Sequence, residues 1–278
     1  MYYSMQITNL FHHPPIQGFQ FGSSLFGKPK MLVYVYFVDG LLIDAGFSNA
    51  RKMILSHLTK LPVEQIFITH HHEDHNGTLV DLQKHFQVPT YASSLCTEIM
   101  KNPPSISFSQ WMLWGKTAAN QNIQAVDTQI TTNKYTFQLI PIPGHARDMV
   151  ALYEPNEGWL FSADLYLYDY IKFCLDNESI AQQIKSLKRV LVLDFQYLFC
   201  AHNPKMKNPK IHLQRKLDFL ENFQQTVLDW HQKGYPPEQI MTQMGLKKMY
   251  WARFISGGAL STLNMVKSVI RDLKVGRD

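Results

Sequence analysis

Residues 69–77 read Thr-His-His-His-Glu-Asp-His-Asn-Gly and set His70, His72, Asp74 and His75 in an H-x-H-x-D-H pattern. Three such imidazoles and a carboxylate are costly in a core and serve no purpose on a plain surface. Their shared chemistry is metal ligation, with zinc the default and iron or manganese the alternatives. A solvated His-rich loop is the bland reading. Three more polar residues each follow an apolar run: His145 after Pro143-Gly144, Asp164 at the end of 158–164, and His202 at the end of 192–202. Each alone reads as an ordinary polar residue at a strand end. Together with the first four they make seven candidate ligands, enough for two ions sharing one carboxylate. Cys200 would share a face with His202 in an extended segment, but reads better as a small buried hydrophobe.

The order and setting of these residues resemble the metallo-β-lactamase superfamily of metal-dependent hydrolases. Residues 40–46, Gly-Leu-Leu-Ile-Asp-Ala-Gly, are similar to its first motif, a strand ending in Asp-x-Gly at Asp44. The resemblance covers roughly residues 30–205, and the later ligand intervals look most like those of hydroxyacylglutathione hydrolases (glyoxalase II). It implies an αββα sandwich in which His70, His72 and His145 hold one ion and Asp74, His75 and His202 the other. Asp164 would bridge the two, and Asp44 would orient the ligand loop rather than bind metal. The implied reaction is hydrolysis by a hydroxide activated between two divalent ions, with Asp74 accepting a proton or orienting the nucleophile. An ester, thioester or lactone is the expected small-molecule substrate. A metal-dependent ribonuclease or phosphodiesterase is the second reading, because some members of the superfamily cleave RNA. Iron-dependent redox relatives come third: flavodiiron proteins place Glu where this chain has His72.

Two regions should shape the substrate pocket. Tyr166 and Tyr168 follow Asp164 closely enough to reach a substrate oxygen, or else pack under the C-terminal helices. Residues 102–114 read as a loop entering a short helix, with Phe108, Trp111 and Trp114 either in the core or walling an apolar pocket.

Hydrophobic patterning supplies the elements that must carry these side chains. Residues 65–69 read as a buried strand and 78–86 as an amphipathic helix, so the first four ligands sit on a strand-to-helix loop. Residues 31–38 and 41–43 form a hairpin about Asp39-Gly40. A helix is expected over 48–60, with Ser48 or Asn49 as its cap, a strand over 89–92 and a helix over 93–100. Residues 135–142, 149–153 and 159–161 read as strands of a second sheet. Beyond the catalytic domain, taken as 1–209, residues 210–278 read as a helical appendage with helices over 211–231, 238–244 and 259–273, the last preceded by Gly257-Gly258.

Charge is uneven: residues 205–278 hold 13 Lys and Arg against 6 Asp and Glu, so that region carries +7 of a total of +5 and the remainder −2. Such a basic surface suits anionic groups on a substrate, or RNA, but equally a plain solvated helix. No apolar run reaches the roughly 20 residues needed to span a bilayer, and the first seven residues lack the features of a secretory signal. Three scattered cysteines argue against a disulfide framework. The expectation is a cytoplasmic enzyme away from the membrane, with a homo-oligomer open.

Overall fold

A computed structural model describes residues 6–23, 31–247, 256 and 258–275. Part of the start read for a signal (residues 1–5), Gly257, and some of the C-terminal basic residues, such as Lys248 and Arg253, lie outside the described residues.

Alternation within the strands builds two facing sheets. The first is ordered β1 (Gln6–His13), β2 (Ile16–Ser23), β3 (Met31–Val38), β4 (Leu41–Ile43), β5 (Gln65–Ile68), β6 (Thr90–Ala92) and β7 (Gln124–Ala125). The second contains β8 (Gln129–Thr131), β9 (Thr136–Pro141), β10 (Val150–Glu154) and β11 (Trp159–Ala163). After the short β12 (Cys174–Leu175) comes β13 (Tyr197–Cys200), which joins this sheet beside β11. Along β3, Tyr34, Tyr36 and Val38 point inward and meet Phe137, Leu152, Phe161 and Phe199 of the other sheet. Val33, Val35 and Phe37, one step out of phase, point outward, as a period of two requires.

Helices close both outer faces. Over the first sheet lie α1 (Arg51–Leu58), then, after the single-turn α2 (Glu73–Asn76), α3 (Leu79–Phe86) and α4 (Ser94–Lys101). Past α5 (Phe108–Trp114), the second sheet is covered by α6 (Ile180–Leu191), α7 (Pro209–Gln232), α8 (Pro237–Gln243) and α9 (Thr262–Val275). The result is the αββα sandwich. The C-terminal helices share one continuous core with α6 and the outer face of the second sheet. Leu213, Leu217, Leu220 and Val227 form a stripe of α7 that is buried there. Burial of each such side chain contributes roughly 1.5–3 kcal/mol as an upper figure.

Several elements depart from their sequence expectations. The helix expected over 48–60 starts with a 3-10 turn, Ser48–Ala50, and neither Ser48 nor Asn49 caps it. Their side chains instead satisfy the last carbonyls of α5: Asn49 Nδ2 donates to Met112 O at 2.9 Å, and Ser48 Oγ to Trp114 O at 3.4 Å. The last helix begins at Thr262 rather than 259, because β14 (Leu260–Ser261) pairs with β12. Helix α6 had no counterpart in the sequence reading, although Ser179 caps it and Ile180, Ile184 and Leu187 mark its buried face. Of the aromatics on α5, Trp114 packs edge-on against Phe47, whereas Phe108 and Trp111 are exposed.

A candidate metal centre at the strand ends

The ligand residues converge because the strands of both sheets end at one edge. Asp44 directly follows β4, His70 follows β5, Asp164 follows β11 and His202 follows β13. His145 follows β9 through Gly144, whose φ of +140° and close approach to Gln183 admit no side chain; a Cβ there would lie 2.5 Å from Gln183 N. Two more backbone irregularities aim side chains at the same place. Asp44 and Ala163 adopt positive φ, uncommon for residues with a side chain, and the pairing of β11 with β13 slips a register between Phe161 and Ala163. Such a bulge redirects the next side chain, here that of Asp164. Asp74 and His75 sit on α2, a single helical turn within the expected strand-to-helix loop.

All seven candidate ligands fall into two adjoining groups. His70, His72 and His145 form one; Asp74, His75, Asp164 and His202 form the other; within each, the ligand atoms lie within 4.8 Å of one another. Between the groups, Asp164 touches both: Oδ2 is 3.2 Å from Nε2 of His145 and 3.2 Å from Nε2 of His202, while Oδ1 is 3.3 Å from Nε2 of His75. Nε2 of His202 also lies 3.5 Å from Asp74 Oδ2, and His145 Nε2 lies 3.0 Å from His72 Nδ1.

The far nitrogens of three of these imidazoles are already committed. Nδ1 of His75 meets Asp44 Oδ2 at 2.8 Å, and Nδ1 of His202 meets the carbonyl of Leu32 at 2.6 Å. Nδ1 of His70 lies 3.1 Å from Thr69 Oγ1, whose own hydrogen points to Asp44 at 3.0 Å. With Nδ1 held as a donor, the lone pair sits on Nε2 and faces the cluster. The predicted orienting role of Asp44 thus has a concrete geometry: it holds both Thr69 and His75.

The donor set fits metal. Nε2 of His70, Nε2 of His75 and Oδ1 of Asp164 are buried without a hydrogen-bond partner, the pair at 3.3 Å lacking the alignment of one. Orphaned acceptors of this kind are rare in folded interiors and mark a missing ion or water. Electrostatics divides the groups. Burial, together with the neighbouring His75 and His72, holds His70 well below the usual imidazole range, and burial with His145 does the same to His72. Burial also opposes charge on His75 and His202, yet the carboxylates around them outweigh it and raise both. Those carboxylates ask for positive charge, which a cation supplies when protons leave.

Four contributors were missed from sequence. Asp148 accepts from the backbone N–H of His71 at 2.9 Å and lies 2.7 Å from its Nδ1, pinning the residue between His70 and His72. Glu178 lies 3.3 Å from Nδ1 of His145. Lys216, buried in α7, donates to the carbonyl of Leu165 at 2.7 Å. Asn76 donates to the carbonyls of His71 and His72 at 2.6 and 2.9 Å. Asp148, Glu178 and Lys216 lie 77, 33 and 51 residues from the groups they hold, where no local pattern announces them. The tyrosines differ from each other. Tyr166 is buried and its hydroxyl donates to Asp169 at 2.5 Å, whereas Tyr168 is exposed. Cys200 is buried, accepts from Asn203 N, and belongs to neither group; burial pushes its thiol up to about 12.

Comparison with known proteins agrees with this geometry. The family described as the Metallo-beta-lactamase superfamily matches residues 30–202, more than half of the chain. A hydroxyacylglutathione hydrolase of Yersinia enterocolitica is 25% identical over 252 residues, covering 86% of this chain and 90% of that protein. The hydroxyacylglutathione hydrolase of Bdellovibrio bacteriovorus is 29% identical over 145 residues, covering 51% of this chain and only 50% of the relative's length. Among solved structures, a metallo-beta-lactamase family protein from Thermus thermophilus aligns with a TM-score of 0.61 at 17% identity, over 78% of this chain and 83% of that one. A mutant flavo di-iron protein from Thermotoga maritima aligns at 0.59 and 16% identity, over 79% of this chain and 63% of that one. At these identities the solved structures speak for the fold alone. The sandwich, the two ligand groups at its edge and the match across residues 30–202 agree, and the chain belongs to the metallo-beta-lactamase superfamily.

Proposed function

We propose that this chain is a metal-dependent hydrolase that holds two divalent cations, zinc by default and iron or manganese otherwise, and cleaves an ester, thioester or lactone. The observation that carries the reading is the reach of Asp164, whose two oxygens face ligands of both groups. In it, His70, His72 and His145 hold one cation, Asp74, His75 and His202 the other, and the Asp164 carboxylate is shared. Two cations so placed would lower the pKa of an intervening water and polarise the scissile carbonyl.

The protein's own groups do the rest. Asp164 would offset the repulsion between the two positive charges. Asp74, with Oδ2 turned to His75 at 3.6 Å and His202 at 3.5 Å, offers a carboxylate oxygen to take the proton of the attacking water. Asp44, through Thr69 and His75, keeps the imidazoles in the tautomer that presents a lone pair. Acyl substrates are preferred because relatives of this chain are named hydroxyacylglutathione hydrolase. Three buried cysteines, all free thiols, suit the reducing cytoplasm.

A panel of esters, thioesters, lactones and phosphodiesters, assayed with metal-reconstituted protein, tests the reading. Acyl turnover that disappears in Asp74→Asn supports it. Efficient RNA cleavage that is lost in the ligand variants, with no matching acyl activity, would replace it with the phosphodiesterase reading.

A further inference from the structure

His145 stands apart from the other ligands in how its far nitrogen is held. Nδ1 faces Glu178 Oε2 at 3.3 Å, while Nε2 faces Asp164 and His72. Glu178 is buried, 6% exposed, and both of its oxygens are occupied. Oε1 accepts from the backbone N–H of Leu175 at 2.8 Å, and Oε2 accepts from Gln183 Nε2 at 2.9 Å. Both carboxylate oxygens already accept, so the Nδ1 that faces them from His145 is placed to be a further donor. The other nitrogen, Nε2, is the atom that faces the ligand group.

The peptide that carries Glu178 is itself anchored from the last helix. Its carbonyl accepts from Ser268 Oγ at 2.9 Å and from Arg271, and the next residue, Ser179, donates to Asp272 at 2.8 Å. The carboxylate therefore has little freedom to drift from the imidazole.

Resting on the two-cation reading, we infer that Glu178 is the positioning residue of the first ligand group, fixing the tautomer and orientation of His145 so that Nε2 meets the cation. The competing role is purely architectural: Glu178 would fasten the turn before α6, and its loss would weaken the whole protein and both metal sites alike.

Glu178→Gln separates the two. A side-chain amide cannot accept at both ends. Whichever way it turns, its NH2 confronts either the Leu175 N–H or the His145 and Gln183 side. Glu178→Asp keeps the charge and shortens the reach by one methylene. Metal-free full-length wild type and both variants are titrated with Co2+, reading bound equivalents and the visible absorption of the bound ion, and the metal-free proteins are melted in parallel. The expected result for Glu178→Gln is an affinity lower by roughly 10–100-fold for one of two equivalents. The other equivalent should stay within about threefold, and Glu178→Asp should recover part of the loss. No change in either equivalent, or an equal loss at both that tracks a lower melting temperature of the metal-free variants, overturns the inference. Fewer than two equivalents on wild type would instead overturn the two-cation reading on which it rests.

Discussion

The two ligand groups lie side by side yet are built differently. The group of His70, His72 and His145 is all imidazole, and two of its members are held below their ordinary pKa by burial and by one another. His145 is the exception: against the effect of burial, Glu178 and then Asp164 raise it to about 10. The group of Asp74, His75, Asp164 and His202 holds two carboxylates, and its histidines are raised. Their supports also come from different places. His75 and His202 lean on Asp44 and the carbonyl of Leu32, both in or beside the first sheet. His145 leans on Glu178, and through it on α9. One half of the centre holds two carboxylates and is braced by the first sheet; the other is all imidazole and braced partly by the C-terminal helices. Adjacent sites sharing a carboxylate can thus owe their integrity to opposite ends of the chain.

Truncation before Lys210 is the harshest test of that division. It strips the stripe of Leu213, Leu217, Leu220 and Val227 from its core and removes the anchors of Glu178. Aggregation or loss of a cooperative melt is expected, and any soluble remnant should bind at most one equivalent of metal. A soluble truncate holding two equivalents would break the comparison.

Asp164→Ala attacks what the groups share. Elemental analysis should show both equivalents reduced, and turnover should fall on the order of 10³-fold. Loss confined to one equivalent would mean that the carboxylate serves one group only.

Asp44→Ala should act mainly on the second group, since His75 loses its direct partner whereas His70 loses one only through Thr69. An affinity loss of roughly 10–100-fold is expected for one equivalent and a smaller one for the other. Chelator competition would reveal an inverted order and so reverse the assignment of supports.

Lys216, which braces the turn after Asp164 from α7, touches neither candidate group directly. Burial lowers it to about 8, despite Glu178 and Asp164 pulling upward. Its ordinary value is about 10.4, so between about pH 8 and 10.4 the unfolded chain binds the extra proton and stability rises with pH. Below that window both states are charged and the folded state carries the full penalty. Melting curves of wild type relative to Lys216→Met should show this gain, at most about 1.4 kcal/mol per pH unit, and a flat difference would refute it.

The candidate ligands were legible in the sequence because their pattern is written locally. An apolar strand, a turn and a polar residue recur at His70, His145, Asp164 and His202, and the structure brings all four together with His72, Asp74 and His75. Apolar runs likewise announced β3, β5 and strands β9 to β11 of the second sheet. Helix α6 left a readable signal in its Ser179 cap and apolar spacing that went unused, whereas the β1–β2 hairpin went unread altogether. The supports were of another kind. Asp148, Glu178 and Lys216 sit in segments whose composition is ordinary, and each acts on a group far away in sequence. A metal ligand needs its own strand end and turn, which neighbouring residues encode. A group that holds the ligand's far nitrogen needs only to arrive within about 3 Å of it, and that proximity is decided by how sheets and helices pack.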